Sequence, residues 1–481
     1  MNYKMIRYIL SVILRTEAAL MLLSVLVAII YRENEIWPFL LTIFLTAGTG
    51  FILARKKPED DVIFAREGFL VVALAWVVMS IFGSLPFIFS GCIPDPIDAF
   101  FETVSGFTTT GATLLPDVEH LPMSILFWRS FTHWIGGMGV LVFVMAIVSL
   151  SDGHSMYLMR AEVPGPSVGK LTPKSKSTAV ILYAIYGGMT LLEIIFLVCG
   201  GMPLFDSIIH TMGTAGTGGF SMKNLSVGAY NNAYIDWVIA IFMVLFGVNF
   251  NLYYLIIIKQ FKQALHSEEL RVYLGLYAAA VALVTVNIMP LYNTFSNALR
   301  YAAFQVSSVM TTTGFSTADF DLWPNFSRTL LVFMMVIGAC AGSTAGGLKV
   351  SRVIILVKSL VRSMDQMLHP HKVKSIKFEG RPVDNETRHG AAIYCTAYMF
   401  ITVLATLMIS VDGYDLETSL TAVVACFNNI GPGIGAVGPM GNYSIFSGFS
   451  KLVLSISMLL GRLEIFPLIM LFSPSIWRRN S

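Results

Sequence analysis

The sequence predicts an all-α integral membrane protein in which one unit occurs four times: a span, a short helix, a polar turn and a second span. Three observations support this fold class. Of the 481 residues, 55% are hydrophobic and only 13% are charged, about half the charged share usual in soluble domains. Apolar runs are long enough to cross a bilayer, which takes about 20 residues. Between several of these runs, a shorter apolar stretch is followed by a small polar run.

Ten segments are predicted to span the membrane, and the first two precede the repeated unit. The stretch between those two, YRENEIWP, is too short and too charged to hold a re-entrant helix. We therefore expect an N-terminal two-helix extension, 1–60, and four repeats, 61–155, 156–265, 266–375 and 376–481, the third with an interrupted last helix. The predicted spans are 8–30, 36–54, 68–90, 123–150, 178–201, 235–258, 271–291, 329–360, 390–411 and 450–473.

Positive charge predicts the orientation of these spans. With the N-terminus in the cytoplasm, 24 of the 32 lysines and arginines fall in cytoplasmic segments, as the positive-inside rule requires. Nine of them lie between Lys349 and Arg388. Both termini are then cytoplasmic, and the four short helices enter from the outer side.

Each repeat carries one short apolar stretch, expected to be a non-spanning helix, and then a polar turn with one marker glycine. Asp98 and Asp206 both lie 13 residues before that glycine and are expected to cap their helices, whereas Asp415 and Asn297 match the position loosely. The helices are predicted at 98–107, 206–213, 297–310 and 416–427, the turns read TTTGAT, AGTGGFS, TTTGFST and NNIGPGIG, and the marker glycines are Gly111, Gly219, Gly314 and Gly431.

The four turns suit a cation pathway. Irregular backbone at membrane depth is tolerated where protein shields it or where it lines an aqueous cavity. Around a fourfold axis, carbonyls aimed inward replace the hydration shell of an ion, and glycine reaches the backbone angles that this needs. The turns contain no carboxylate, which favours a monovalent ion over a divalent one. The alternative is a set of ordinary polar turns or small-residue helix contacts.

The last span of the third repeat is too long and is interrupted by GACAGSTAGG, 338–347. Small residues replace large apolar ones there, and closely spaced glycines make a helix easy to unwind. The alternative is a close contact between two helices through small residues.

These segments resemble the Trk/Ktr/HKT superfamily of potassium transporters, and the two extra N-terminal spans are similar to its bacterial TrkH type. The resemblance covers essentially the whole chain. Its specific parts are SGFTTTGAT (105–113), GTAGTGGFS (213–221), TTTGFST (311–317), FNNIGPGIG (427–435), AGSTAGGLKVSR (341–352) and GRLEIFP (461–467).

The resemblance implies a multi-pass protein of the cell inner membrane that takes up potassium through one selectivity filter per subunit. It also implies a homodimer and a peripheral cytosolic nucleotide-binding subunit of the TrkA type. Neither a cofactor nor a nucleic-acid partner is implied. The implied filter residues are Thr109, Thr110, Gly111, Thr217, Gly218, Gly219, Thr312, Thr313, Gly314, Asn429, Ile430 and Gly431.

An intramembrane gating loop below the filter is also implied by the resemblance. Arg462, about midway along the last span, would raise the local barrier to a cation; intramembrane charges are functional candidates. Its alternative role is a buried ion pair with Glu193 or Glu464. The implied gating residues are Gly338, Gly342, Ser343, Thr344, Gly346, Gly347 and Arg462.

The sequence argues against an enzyme. GPGIG (431–435) follows no predicted strand and is therefore no dinucleotide fingerprint, and the five scattered cysteines have no metal-site spacing. Two transport mechanisms remain open. A proton- or sodium-coupled symporter would need a midplane acid and inverted repeats, whereas a channel-like filter with one glycine per repeat predicts moderate preference for K+ over Na+.

Overall fold

The computed structural model describes residues 1–59, 64–139, 175–371 and 375–474. Within these ranges the regular structure is helical except for one antiparallel hairpin, β1 (Lys377–Phe378) and β2 (Arg381–Pro382). The predicted all-α fold class is confirmed. The end of the span predicted at 123–150, the boundary at 155/156, Arg160, Lys170 and the basic C-terminus (Arg478, Arg479) lie outside the described residues.

Two helices, α1 (Tyr3–Tyr31) and α2 (Ile36–Leu53), form the N-terminal extension and pack against each other. The Asn2 side chain caps α1 by accepting a hydrogen bond from the Met5 amide at 3.1 Å. In the short connection, Glu33 accepts hydrogen bonds from the amides of Met123 (2.5 Å) and Ser124 (3.0 Å). The extension is thereby attached to the start of the second helix of repeat 1.

Each repeat consists of a first helix, a short helix that we call the pore helix, and a second helix. Repeat 1 has α3 (Ala65–Phe89), α4 (Pro96–Phe107) and α5 (Met123–Gly137). Repeat 2 has α6 (Ser175–Cys199), α7 (Leu204–Gly216), α8 (Ala233–Phe246), α9 (Phe250–Ile257) and α10 (Phe261–Leu265). Repeat 3 has α11 (Glu268–Ile288), α12 (Phe295–Met310), α13 (Asn325–Ile337) and α14 (Val350–Leu368). Repeat 4 has α15 (Asn385–Ile409), α16 (Leu416–Phe427), α17 (Gly448–Arg462) and α18 (Phe466–Leu471).

The four pore helices form where the sequence predicts them, but three of the four candidate capping residues are wrong. Asp95, rather than Asp98, caps α4, and it accepts from the amide of Ile97 at 2.8 Å. Proline at the first helical position makes that earlier start favourable. Asp98 instead pairs with Lys451 at 2.7 Å.

The other pore helices also begin in different ways. Asp206 lies inside the first turn of α7 and accepts from the Tyr230 hydroxyl at 2.5 Å. The side chain of Thr294, not Asn297, caps α12. Asp415 caps α16 as expected. The offset of 13 residues therefore does not identify the capping residue.

Among the described residues, six helices are long and apolar enough to span a membrane: α1, α2 and the first helix of each repeat. The second helices are shorter, at 15, 14, 13 and 15 residues. At 1.5 Å per residue they reach about 20–23 Å, less than the roughly 30 Å hydrocarbon core. The count of ten spans stays a prediction.

The second helices all stop after 13 to 15 residues, and only the break in repeat 3 was expected. We predicted continuous spans at 235–258 and 450–473, yet α8 and α9 meet at an angle of 92°. In repeat 4, Glu464 and Ile465 have φ of 55° and 68° and separate α17 from α18. Such left-handed backbone is costly for side chains that carry a Cβ, so tertiary contacts must hold this break.

The largest apolar core joins α1 with repeat 1 and repeat 4, through residues such as Ile9, Phe101, Trp128 and Phe427. The first and last repeats are therefore neighbours, and the chain closes on itself around the pore helices.

Candidate ion filter and gate

The four polar turns share one backbone conformation. In each turn φ is positive at the marker glycine and at the residue two positions before it. These pairs are Thr109 and Gly111 (56° and 77°), Thr217 and Gly219 (55° and 77°), Thr312 and Gly314 (58° and 86°), and Asn429 and Gly431 (57° and 94°).

Each pore helix also ends with the same hydrogen bond. The amide before the marker glycine donates to the carbonyl five residues earlier. These bonds are Thr110 to Ser105, Gly218 to Gly213 and Thr313 to Ser308, all 2.8 Å, and Ile430 to Ala425, 2.9 Å. Equal dihedral angles and equal bonds mean that the four turns present their carbonyls in equivalent directions.

The turns form a closed ring in chain order. A Cβ built on Gly111 would lie 1.9 Å from the Gly218 carbonyl oxygen of the next repeat. The same test gives 2.0 Å from Gly219 to the oxygen of Thr313, 2.0 Å from Gly314 to that of Ile430, and 2.7 Å from Gly431 to that of Thr110. Backbones approach this closely only where no Cβ intervenes, which explains one glycine per turn.

A cavity of about 130 Å³ lies at this ring. All four marker glycines line it, together with Arg129 and Lys223. The turns therefore surround one common space rather than four separate contacts, as a shared ion pathway requires.

Side-chain hydroxyls brace the turns of repeats 1 and 3 in the same way. Thr108 and Thr110 are joined by their hydroxyl groups at 2.8 Å, and so are Thr311 and Thr313. In repeat 4 the amide nitrogen of Asn429 donates to the Thr110 hydroxyl and to the Met458 carbonyl, each at 3.0 Å. Repeat 4 has Asn428 and Ile430 at the positions of the two bonded threonines, and Asn429 instead supplies a bond between the last and first turns.

The ring is also supported by a buried ion pair that the sequence did not predict, next to the turns of repeats 1 and 2. Glu102 and Arg129 form a buried ion pair at 2.7 Å. Glu102 also accepts from the Thr113 hydroxyl at 2.9 Å, and Arg129 donates to the Ser221 carbonyl at 3.1 Å. Because these two residues are 27 positions apart in the chain, no local sequence pattern predicts that they pair. The only indication in the sequence was that each is a charged residue within an apolar segment.

His133 links the first two repeats. Its Nδ1 lies 2.7 Å from the Gly106 carbonyl oxygen, and the Phe220 amide donates to its Nε2 at 3.3 Å. Nδ1 must then carry the proton, so the neutral imidazole acts as donor on one side and acceptor on the other.

The outer loops are joined in the same cyclic order. Asn224 accepts from the Val118 amide at 2.9 Å, and the Gly228 amide donates to Ser316 at 3.1 Å. The Gly435 amide donates to the carboxylate of Asp321 at 3.0 Å. Burial raises the pKa of this outer-loop carboxyl to about 6, against the opposing effect of the Arg328 charge.

Residues 338–349, which we call the gate segment, are not helical and lie directly against the ring of turns. The Gly346 amide donates to the Thr312 hydroxyl at 2.7 Å. A Cβ on Gly346 would lie 2.3 Å from the Asn428 carbonyl oxygen. Left-handed φ values near 70° at Gly338, Gly342, Gly347 and Lys349 let the segment fold back on itself.

The gate segment fills the break between α8 and α9. The Cys340 amide donates to the Gly247 carbonyl at 3.1 Å, and the Phe250 amide donates to the Gly342 carbonyl at 3.0 Å. The Thr344 hydroxyl donates to Phe246 at 3.3 Å. The orphan backbone groups of one broken helix are therefore satisfied by the other, as apolar surroundings demand.

Arg462 is buried at the end of α17 and holds three carbonyls from two other repeats. Its guanidinium donates to Thr344 at 2.8 Å, to Gly136 at 2.5 Å and to Gly137 at 2.6 Å. Glu464, one of the two partners considered for it, pairs with Arg352 instead. Arg462 thus connects the gate segment to the end of α5.

Known proteins match the chain along its full length. The family model for TrkH, described as a cation transport protein, matches residues 34–479. The Trk system potassium uptake protein TrkH of Salmonella typhimurium is 38% identical over 99% of this chain and 100% of that protein. Its counterpart in Escherichia coli K12 is 37% identical with the same coverage. The crystal structure of the potassium transporter TrkH from Vibrio parahaemolyticus superposes with a TM-score of 0.89 at 32% identity, covering 99% of this chain and 100% of that one.

Proposed function

Because the chain belongs to the TrkH family of cation transport proteins, we propose that it takes up potassium by a channel-like mechanism through the ring of four turns. The observation that carries this proposal is the closed ring itself, in which four equivalent turns approach one another in chain order. Backbone carbonyls in such a ring replace the water around a potassium ion.

Discrimination between ions is expected to be moderate. Only one glycine per repeat adopts the left-handed turn at the ring, so few carbonyl layers contact the ion. A filter that stacks a longer loop, such as TVGYG, offers more binding layers. We therefore expect K+ to be preferred over Na+ without strict exclusion of Na+.

The gate segment is proposed to obstruct the pathway on the cytoplasmic side of the filter until the protein is activated. Its hydrogen bonds to the Thr312 hydroxyl and to Arg462 support this assignment, because they hold it against the filter. The guanidinium charge adds an electrostatic barrier to a cation.

We further propose that the protein is a homodimer of the inner membrane with both termini in the cytoplasm. Its activator is a cytosolic nucleotide-binding subunit of the TrkA type. Within the basic region between Lys349 and Arg388, exposed residues such as Lys377 and Arg381 offer a docking surface on the cytoplasmic face, and the family resemblance supplies the partner's class.

The test is tracer potassium uptake into liposomes that contain the purified protein. A channel-like mechanism predicts uptake driven by the potassium gradient alone, unchanged when the proton gradient is collapsed. Uptake that requires a proton or sodium gradient would instead establish the symporter and overturn the channel proposal.

A further inference from the structure

Glu269 contacts both the gate segment and the start of the helix that follows it. It lies in the first turn of α11 and is buried at 5% exposure. One carboxylate oxygen, Oε1, accepts from the amide of Ala341 at 2.8 Å and from the amide of Ser351 at 3.1 Å. A single side chain of α11 therefore holds the first part of the gate segment and the first turn of α14, which follows it.

A second carboxylate fixes the backbone from which Glu269 extends. Glu379, in the turn of the β1–β2 hairpin, accepts from the Ser267 hydroxyl at 2.8 Å and from the Glu269 amide at 3.0 Å. Ser267 caps α11. The hairpin thus holds the N-terminus of α11, and Glu269 holds the gate segment.

The hairpin is also tied to the helix that follows the gate segment. Lys358 on α14 donates to the Lys377 carbonyl at 2.7 Å and pairs with Glu268. Beside the hairpin is a cleft of about 860 Å³ lined in part by His266, Arg271 and Glu379. In the predicted orientation this cleft is on the cytoplasmic face, where a regulator has access to it.

We propose that Glu269 is the positioning residue that keeps the gate segment closed, and that Glu379 acts on the gate through Glu269. This inference rests on the proposed function, since it needs the segment to be a gate. Charge-assisted hydrogen bonds that a carboxylate accepts are about twice as strong as neutral ones. Displacing the hairpin would remove the contacts that fix the start of α11. The two hydrogen bonds that Glu269 accepts would then be weakened.

The test compares tracer potassium uptake into liposomes, without any partner protein, for Glu269→Ala, Glu269→Gln and Glu386→Gln. Glu269→Ala removes both acceptor contacts and should raise flux about tenfold, which corresponds to about 1.4 kcal/mol. Glu269→Gln retains an uncharged acceptor and should give a smaller increase. Glu386→Gln, which changes an exposed acid in the first turn of α15, is the control and should remain near the wild type.

Two controls distinguish the proposed role of Glu269 from the proposals for the filter and the gate segment. The ratio of K+ to Na+ flux should be unchanged in Glu269→Ala, which excludes general loosening of the filter. Suppose that Glu269→Ala conducts like the wild type while a protein with a shortened gate segment conducts freely. The proposed role of Glu269 is then wrong, but the gating role of the segment is retained. If the shortened segment also leaves flux low, the gating proposal itself fails.

A double-mutant cycle tests the link to the hairpin. Glu379→Ala should raise flux in the same direction, and Glu269→Ala/Glu379→Ala should match Glu269→Ala alone, because both act on one contact. Independent, additive increases would overturn the proposed path from Glu379 through Glu269.

Discussion

At the scale of single residues, the proposed filter requires glycine at four positions, because at each one a backbone carbonyl of the next turn lies too close for a Cβ atom. At Gly111, Gly219 and Gly314 the oxygen of the next turn lies within about 2 Å of that position, and at Gly431 it lies 2.7 Å away. Positive φ adds a second requirement for glycine at the same positions.

Replacing these glycines should lower selectivity. Gly111→Ser or Gly314→Ser must move a neighbouring carbonyl as well as strain its own turn, so the K+/Na+ permeability ratio should fall. Gly431→Ser, with more room, should have a smaller effect. The measurement is the permeability ratio in liposomes. Gly188→Ser, in α6 where nothing lies within 4 Å, is the control, and a ratio unchanged at both Gly111 and Gly314 would contradict the filter assignment.

Arg462 can act in two ways: through its positive charge, and through a tether, by which we mean its hydrogen bonds to three carbonyls. A bare charge about 6 Å from a cation at an effective dielectric near 20 opposes it by roughly 3 kcal/mol before screening. The same guanidinium joins Thr344 to Gly136 and Gly137. Arg462→Ala should therefore raise potassium flux, and flux should still respond to the cytosolic partner.

Arg462→Lys distinguishes the two contributions in the same uptake assay. Lysine keeps the charge but cannot reproduce a planar fork that reaches three carbonyls. An increase with lysine close to that with alanine would assign the effect to the tether. An unchanged flux with both variants would remove Arg462 from the gating mechanism.

At the scale of elements, the breaks in the second helices explain how the gate segment lies beside the ring of turns. Each of them ends after 13 to 15 residues, and the gate segment fills the break of the neighbouring repeat. Because amides in a broken helix need partners in an apolar medium, the break in α8–α9 and the gate segment stabilise each other.

Deleting residues 339–346 should open the pathway. The ends of the segment are already close, since a Cβ on Gly338 would lie 3.1 Å from the Gly347 Cα, so the deletion requires little backbone movement. Tracer potassium flux should rise more than in Arg462→Ala, become independent of the partner and keep its K+/Na+ ratio. If flux stays low and partner-dependent, the segment is only a helix contact.

At the scale of the whole molecule, contacts between repeat 4 and repeat 1 close the ring. Asn429 bonds to Thr110, the Tyr443 amide donates to Thr113 at 2.9 Å, and Lys451 pairs with Asp98 at 2.7 Å. These contacts join residues more than 300 positions apart. They allow four unequal turns of one chain to act as a single site.

Asp98→Asn should weaken this closure. The Lys451 side chain is only 10% exposed, and a bond to a charged group contributes about 1.5–3 kcal/mol when it is buried. We expect a lower thermal unfolding midpoint in detergent with the K+/Na+ ratio retained. Glu386→Gln, an exposed acid in the first turn of α15, is the control, and equal midpoints for the two variants would show that this pair does not stabilise the ring.

Much of the architecture was determined by the sequence alone. Hydropathy predicted the membrane class, and the recurrence of a short helix, a polar turn and one glycine predicted four equivalent units. Small residues at 338–347 predicted the interruption in repeat 3. These features are local, because span length, turn dihedrals and helix breaking depend on residues close together in the chain.

Only the tertiary structure decided which turn contacts which, why α8 and α17 also break, and what Arg462 binds. The same holds for the Glu102–Arg129 pair and for the two amides that Glu269 accepts from, 72 and 82 residues away. In each case a buried polar group takes its partner from a separate element: Arg462 from other repeats, and Glu102 and Glu269 from elsewhere in their own repeat. Leaving such a group unpaired would cost free energy, so the folded structure must supply a hydrogen-bond partner. No local pattern in the chain specifies which residue that partner is.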